Sequence, residues 1–208
     1  MNKIIIITSY IEFSDFLTEA DYSDDYVICT DGGYDIAVKH RISPNLLLGD
    51  FDSIASNIPS DIEIEKYPPE KDFTDLEIAV KKAIELNASN VEILGGIGGR
   101  LDHTVANLQI LSHYSMFFGS LIMYDGKNKC FIAKNGKNII PYERDSYLSI
   151  FSLSEKCEGI TFENVRYPLK NHTLTRSFPL GVSNEFINEK SASLSVKSGT
   201  LLTVISGK

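Results

Sequence analysis

The chain has 208 residues, which predicts one or two domains and leaves room for a core without disulfides or metals. Its 28 acidic and 20 basic side chains give a net charge of −8, which excludes a general nucleic-acid binder and argues against docking on anionic membranes. No apolar run approaches the roughly 18 residues of a transmembrane helix. The three cysteines, Cys29, Cys130 and Cys157, are widely spaced, which is typical of a reducing, cytoplasmic compartment.

Up to about residue 125, short apolar runs alternate with helical patterns. The first run could pass for a truncated signal peptide, but no small-residue cleavage site follows it, so a buried strand fits better. Most runs are continuous rather than alternating, as expected for a sheet covered on both faces. The predicted strands are Ile4–Thr8, Tyr26–Thr30, Leu46–Leu48, Ile62–Tyr67, Val91–Leu94 and Leu121–Tyr124.

Two helices are predicted between these strands. Thr74 and Glu77 form a capping box at the start of a helix over 75–86. A second helix is predicted over 101–114. One face of each helix is expected to point inward, formed by Leu76, Ala79, Val80, Ala83 and Ile84 in the first and by Leu101, Val105, Leu108 and Leu111 in the second. Strand–helix alternation predicts an α/β domain with a mostly parallel sheet.

After about residue 126 the helical signal disappears. Glycine and asparagine turn signals recur at intervals of about ten residues between runs such as Tyr147–Leu153 and Thr200–Ile205. This texture predicts an all-β sandwich. We therefore expect two domains, residues 1–125 and 126–208, without a linker.

Two acidic motifs directly follow predicted strands, where open α/β sheets bind ligands. In Thr30–Gly33 the glycines permit close approach to a ligand, although Asp31 could instead cap a helix. In Leu46–Ser53, the carboxylates of Asp50 and Asp52 can converge on Mg²⁺ if the backbone is extended there. The alternative for this second motif is a solvated acidic loop.

Two further motifs open predicted helices. Residues 70–75 place Asp72, Thr74 and Asp75 at a helix start, which favours anions but also suits these residues without any ligand. Residues 94–103 contain four glycines followed by Arg100, typical of a phosphate cradle, or alternatively of close helix–sheet packing.

Together the motifs predict a site with several carboxylates, an anion-binding glycine loop and an arginine. Such carboxylates repel one another unless a cation offsets them, and Mg²⁺ bound with a polyphosphate does so. This chemistry is that of nucleotide-dependent phosphoryl transfer. A nucleotide-sugar transferase would leave the Asp-Phe-Thr-Asp motif unexplained.

In this order the motifs resemble the thiamin pyrophosphokinase family. The resemblance continues into the β half through Tyr167–Leu169, Gly181–Glu185 and Ser198–Leu202, so it covers nearly the whole chain. It implies transfer of a pyrophosphoryl group from ATP to the hydroxyethyl oxygen of thiamin, giving thiamin diphosphate and AMP. The alternative is a non-catalytic thiamin- or nucleotide-binding regulatory module. It also implies an N-terminal α/β domain, a C-terminal β-sandwich, and a homodimer with active sites between subunits.

The resemblance further implies roles for individual residues. The metal-binding carboxylates would be Asp50, Asp52 and Asp75, with Asp72 and Asp102 as further acidic members of the catalytic set. The nucleotide would be held by Asp31, Gly32, Lys71, Thr74, Gly96, Gly98, Gly99, Arg100 and His103, and thiamin by Ser183 and Asn184. The chain has no tryptophan, so the resemblance does not identify an aromatic residue that packs on thiamin.

Overall fold

The fold, given by a computed structural model, is described for residues 3–52, 54–68, 70 and 72–208. The chain divides into two compact units, Met1–Gly126 and Lys127–Lys208. A sheet with helices is followed by a region of antiparallel sheet, and this broad prediction is confirmed.

The N-terminal unit contains six strands and four α-helices in its described part. The strands are β1 (Lys3–Ile7), β2 (Tyr26–Thr30), β3 (Leu46–Gly49), β4 (Glu63–Lys66), β5 (Asn90–Leu94) and β6 (Ser120–Tyr124). The helices are α1 (Phe16–Glu19), α2 (Gly33–Lys39), α3 (Asp75–Glu85) and α4 (Leu101–Tyr114), and a 3₁₀ turn follows at Ser115–Phe117. The strand order is β6-β5-β1-β2-β3-β4, and each neighbouring pair is parallel.

The sheet is covered on both faces, as its continuous apolar runs predict. Residues 4–7 of β1 are completely buried although successive side chains point to opposite faces. Helix α2 packs on β1 and β2, α3 packs on β1, β2 and β3, and α4 packs on β6. Parallel strands buried in this way place the loops after their carboxyl ends at one edge of the sheet.

The start of α3 follows the predicted cap. The Glu77 backbone N–H donates to Thr74 Oγ1 at 3.2 Å, and Thr74 itself has extended backbone angles. Most of the predicted inward face is buried, except that Ile84 is half-buried and Ile78 is buried instead.

Helix α4 has the predicted bounds, but its predicted inward face is wrong. Leu101 is 75% exposed and Val105 is 50% exposed, whereas the buried positions are Asn107, Ile110, Leu111 and Tyr114. Two of these buried side chains are polar and bond to other elements: Asn107 Nδ2 donates to the Gly96 carbonyl at 2.8 Å, and Tyr114 Oη donates to Glu77 Oε1 at 2.8 Å. Tertiary hydrogen bonds therefore set the rotation of the helix.

The C-terminal unit consists of two antiparallel sheets. The strands are β7 (Asn128–Ala133), β8 (Gly136–Ile140), β9 (Ser146–Ser152), β10 (Lys156–Glu163), β11 (Leu169–Thr175), β12 (Gly181–Asn184), β13 (Ala192–Val196) and β14 (Leu201–Gly207). One sheet has the order β12-β9-β14-β7 and the other β11-β10-β13-β8. Side chains of both sheets share one core, with Leu148 and Ile205 from the first beside Phe162 and Leu194 from the second.

All three cysteines are buried and free of disulfides. Among the described helices, none has the length and apolar character that crossing a membrane requires.

The core of the C-terminal unit contains a polar atom without a partner in the described structure. Thr203 is fully buried on β14, and its hydroxyl makes no hydrogen bond. Burying an unpaired hydroxyl costs about 1–3 kcal/mol, so Thr203→Val, which keeps the shape of the side chain, should raise the free energy of unfolding by about 1 kcal/mol. Urea denaturation measures the change. Thr173→Val on the exposed face of β11 is the matched control, and an equal gain there would contradict the account.

Candidate active site

A cavity of about 320 Å³ lies at the carboxyl ends of the strands of the N-terminal unit. Its walls come from the end of β2, the loops after β1, β2 and β5, the first turn of α3 and the first two turns of α4. The lining residues are Thr8, Ser9, Tyr10, Thr30, Asp31, Thr74, Asp75, Leu76, Gly96, Gly98, Arg100, His103 and Asn107. All of them belong to one unit, so the cavity is a feature of residues 1–126 alone.

The carboxyl group of Asp31 is fixed at the end of β3. Asp31 Oδ1 accepts a hydrogen bond from the Phe51 backbone N–H at 3.2 Å. A Cβ placed on Gly49 would come within 1.7 Å of the same oxygen, so only glycine admits the carboxyl there. Asp31 therefore does not cap the following helix as one alternative predicted: the N-cap of α2 is Gly32, and no side chain caps it.

Three carboxyl groups meet at this point. Burial, a hydrogen bond with Asp75 and the charges of Asp75 and Asp50 together raise the pKa of Asp31 to about 6, against the lowering effect of the Phe51 N–H. Negative charge is thus concentrated at the strand ends, where a cation would be favoured. In the described ranges no group of three or more His, Cys, Asp or Glu side chains has the geometry of a formed metal site.

The backbone between Asp50 and Asp52 is not extended. Extended backbone would turn both carboxylates to one side, but Phe51 has φ of +67°, in the left-handed region. The Asp52 backbone N–H instead donates to Asp50 Oδ1 at 3.2 Å. The condition of extended backbone is not met at Phe51, and Asp50 is the member of the pair whose charge reaches Asp31.

The glycine loop after β5 is held by its neighbours. The Gly98 N–H donates to Thr104 Oγ1 at 3.1 Å, and the Gly96 N–H donates to the Tyr10 carbonyl at 3.0 Å. Asn107 satisfies the Gly96 carbonyl. The loop residues Gly95, Gly96, Gly98 and Gly99 all have positive φ, a conformation that side chains other than glycine resist.

Arg100 and His103 stand at the rim where the loop enters α4. The Arg100 guanidinium donates to both oxygens of Asp102, at 3.1 and 2.6 Å. The side chains of Arg100, Asp102 and His103 are exposed. This pairing raises the pKa of Arg100 and lowers that of Asp102. A ligand phosphate at the rim would compete with Asp102 for the guanidinium.

The structure brings some of the predicted residues together and leaves others aside. Of the predicted set, Asp31, Thr74, Asp75, Gly96, Gly98, Arg100 and His103 line the cavity. Asp50 contributes through its charge on Asp31. Residues outside the lining are Gly32, Asp52, Asp72, Gly99 and Asp102, and Lys71 lies outside the described residues.

Sequence reasoning missed four polar or aromatic residues of the lining: Thr8, Ser9, Tyr10 and Asn107. Asn107 left no signal, because the predicted inward face of α4 did not include it. Thr8, Ser9 and Tyr10 belong to no recognisable motif. Only their position after the carboxyl end of β1 could have indicated that they line the cavity.

The two residues predicted to bind thiamin lie on β12 of the C-terminal unit. Asn184 is buried; its Nδ2 donates to the Tyr167 carbonyl at 2.8 Å and its Oδ1 accepts from the Tyr167 N–H at 2.9 Å. Ser183 is exposed, and its backbone N–H donates to Ser149 Oγ at 3.0 Å. The Asn184 side chain thus holds the Tyr167 backbone, and the Ser183 hydroxyl is the more accessible of the two groups.

Comparisons with known proteins follow the same division. The family model for the thiamin pyrophosphokinase catalytic domain matches residues 18–123, and that for the vitamin B1 binding domain matches residues 137–201. The chain belongs to the thiamin pyrophosphokinase family. It is 31% identical to a thiamine pyrophosphokinase of Bacillus subtilis over 88% of this chain and 89% of that protein.

Solved structures of the family share the fold. A thiamine pyrophosphokinase structure from Bacillus subtilis superimposes with a TM-score of 0.90 at 26% identity, over 100% of both chains. One from Geobacillus thermodenitrificans gives a TM-score of 0.83 at 28% identity, covering 99% of this chain and 98% of that one.

The anchoring of the glycine loop by Asn107 can be tested by mutation. Asn107→Ala leaves the buried Gly96 carbonyl without its donor, and we expect the free energy of unfolding to fall by about 1–3 kcal/mol. The control is Gln109→Ala, an exposed position on the same helix, where the change should stay within about 0.5 kcal/mol. Equal stability of both variants in urea denaturation would show that the bond does not anchor the loop.

Proposed function

We propose that the chain transfers the pyrophosphoryl group of ATP to the hydroxyethyl oxygen of thiamin in a Mg²⁺-dependent reaction that yields thiamin diphosphate and AMP. The observation that carries this proposal is the meeting of carboxyl groups and a glycine loop in one cavity of a family member. Polyphosphate bound with a cation is the ligand whose charges suit both parts of that cavity.

The carboxyl groups at the strand ends fit Mg²⁺ by their chemistry, because this ion prefers hard oxygen ligands and takes one or two carboxylates beside phosphates and water. We assign its binding to Asp50, Asp52 and Asp75, with the fixed carboxyl of Asp31 beside them. When bound, Mg²⁺ offsets polyphosphate charge and orients the reacting phosphorus. Asp72 and Asp102 stay in the proposal as acidic residues that contact substrates or a second ion.

Residues at the helix starts would bind the phosphates. The first turn of α3 offers backbone N–H groups and the positive end of its dipole next to Thr74. We assign the nucleotide to this helix start and to the glycine loop, with Arg100 stabilising charge that develops on the transferred phosphates. The full proposed set is Asp31, Gly32, Lys71, Thr74, Gly96, Gly98, Gly99, Arg100 and His103.

The acceptor requires a site for a cationic thiazolium and a place for the proton of its hydroxyl group. We assign thiamin binding to residues 126–208 through Ser183 and Asn184, and the catalytic domain to residues 1–125. One carboxylate accepts the hydroxyl proton. A homodimer and a cytoplasmic location complete the proposal.

Product analysis tests the reaction. The purified protein is incubated with thiamin, ATP and Mg²⁺, with and without EDTA, and nucleotides and thiamin species are separated by chromatography. We expect AMP and thiamin diphosphate in equal amounts, and neither in the presence of EDTA. ADP with thiamin monophosphate would overturn the reaction type, and binding of thiamin or ATP without turnover would favour a regulatory module.

The carboxylates are tested by charge-neutral substitutions of similar shape. Asp50→Asn and Asp75→Asn should lower turnover by orders of magnitude, because each removes a charge from the cluster around Asp31, and circular dichroism should stay native. Asp24→Asn, an exposed residue on the same unit, is the matched control and should retain full activity. A loss below about tenfold, or about 1.4 kcal/mol of transition-state stabilisation, would refute the metal-ligand role.

A further inference from the structure

The loop after β1 lies directly against the glycine loop. The Tyr10 carbonyl accepts the Gly96 N–H at 3.0 Å, and Thr8 Oγ1 lies 3.1 Å from both the Tyr10 and Leu94 carbonyls. These contacts hold the backbone of residues 8–10 to the end of β5. The side chains that follow are therefore presented at the cavity from a fixed backbone.

The ring of Tyr10 rests on the glycine backbone. A Cβ placed on Gly99 would lie 2.9 Å from Tyr10 Cζ and 3.0 Å from Cε2, and one on Gly98 would lie 3.3 Å from Cε1. The aromatic ring therefore packs on these two residues while 43% of the Tyr10 surface stays exposed, and the residue lines the cavity. A ring held on one side and open on the other is a surface on which a nucleobase can stack.

Glu12 places a carboxylate beside the same glycines. Its Oε2 would lie 2.7 Å from a Cβ on Gly98, and the side chain is exposed. A carboxylate at this point repels phosphate but accepts hydrogen bonds from hydroxyl groups, as acidic residues do with ribose in other nucleotide sites. Glu12 does not line the cavity, but it adjoins the end that Tyr10 lines, and this end therefore favours a nucleoside over the phosphates.

The strand order places this end where ligands of open sheets bind. β1 is flanked by β2 on one side and β5 on the other, and the chain proceeds from β1 through β2, β3 and β4 before it returns to β5. The loops after β1 and β5 therefore border the crevice at which the strand order reverses. Tyr10 belongs to the first loop and Gly98–Gly99 to the second.

We propose that Tyr10 and Glu12 bind the nucleoside part of the phosphoryl donor, Tyr10 by stacking on the base and Glu12 by accepting a hydrogen bond from a ribose hydroxyl. The inference rests on the proposed function for the presence of a nucleotide. Both residues precede the segment 18–123 that the family model matches, so they belong to the part of this chain outside that match.

Steady-state kinetics test the stacking role. Tyr10→Ala should raise the KM for ATP about tenfold while kcat and the KM for thiamin change less than twofold, and Tyr10→Phe should behave as the wild type because it keeps the ring. Phe117→Ala removes an exposed aromatic ring beyond the far end of α4 and is the control. An unchanged KM for ATP in Tyr10→Ala would overturn the stacking role.

The ribose contact is tested by pairing a variant with an altered nucleotide. Glu12→Gln replaces the carboxylate with a neutral, weaker acceptor and should weaken ATP binding about tenfold, and 2′,3′-dideoxy-ATP, which lacks the hydroxyl donors, should bind the wild type at least tenfold more weakly than ATP does. Glu12→Gln should then add little to the loss seen with the dideoxy nucleotide, because the bond is already absent. The contact would be refuted if the losses of affinity from the variant and from the dideoxy nucleotide multiplied. It would also be refuted if Glu12→Gln changed the affinity for ATP no more than Glu19→Gln, a control at an exposed position.

Calorimetric titration of ATP separates this inference from the proposed function. If the wild type forms no thiamin diphosphate but binds ATP, the reaction is wrong, and weaker binding by Tyr10→Ala and Glu12→Gln still supports the nucleoside site. If product forms normally while both variants bind ATP as the wild type does, the nucleoside site is wrong and the function stands. Absence of ATP binding by the wild type would overturn both.

Discussion

The position of the Asp31 carboxyl group is the constraint on which the proposed site depends. It lies against the Cα of Gly49, accepts the Phe51 N–H, and contacts Asp75 at the start of α3. Phe51 adopts a left-handed conformation there, and such strain, of order 1–3 kcal/mol, persists where the surrounding structure fixes it, often at functional sites. The ends of β2 and β3 and the first turn of α3 are thereby joined around one charge.

Much of the fold could be predicted from the sequence because its signals are local. The cap at Thr74 and the apolar periodicity fixed the start and the face of α3, and the acidic motifs stood where predicted strands end. The face of α4 could not be read in this way, since Asn107 turns inward to serve a carbonyl of a distant loop. Asp31 was equally ambiguous: its choice between capping α2 and bonding Phe51 depends on the conformation of another loop.

The sequence of the glycine loop predicted either phosphate binding or close packing, and the structure shows that the two are compatible. Its positive-φ residues admit close packing, since the ring of Tyr10 and the amide of Asn107 occupy space that a side chain would need. The same absence of side chains leaves backbone at the cavity wall, where a ligand can approach. Close packing and ligand binding are thus compatible, and the sequence could not show that Tyr10 is the residue that connects them.

The direct test of the central claim follows the phosphorus atoms themselves. ATP labelled separately at the β and γ positions is incubated with the protein, thiamin and Mg²⁺, and label is traced in the separated products. Transfer of an intact pyrophosphoryl group predicts that both labels appear in thiamin diphosphate and that neither appears in AMP. Label from the γ position alone on thiamin, with β label retained in ADP, would contradict the account.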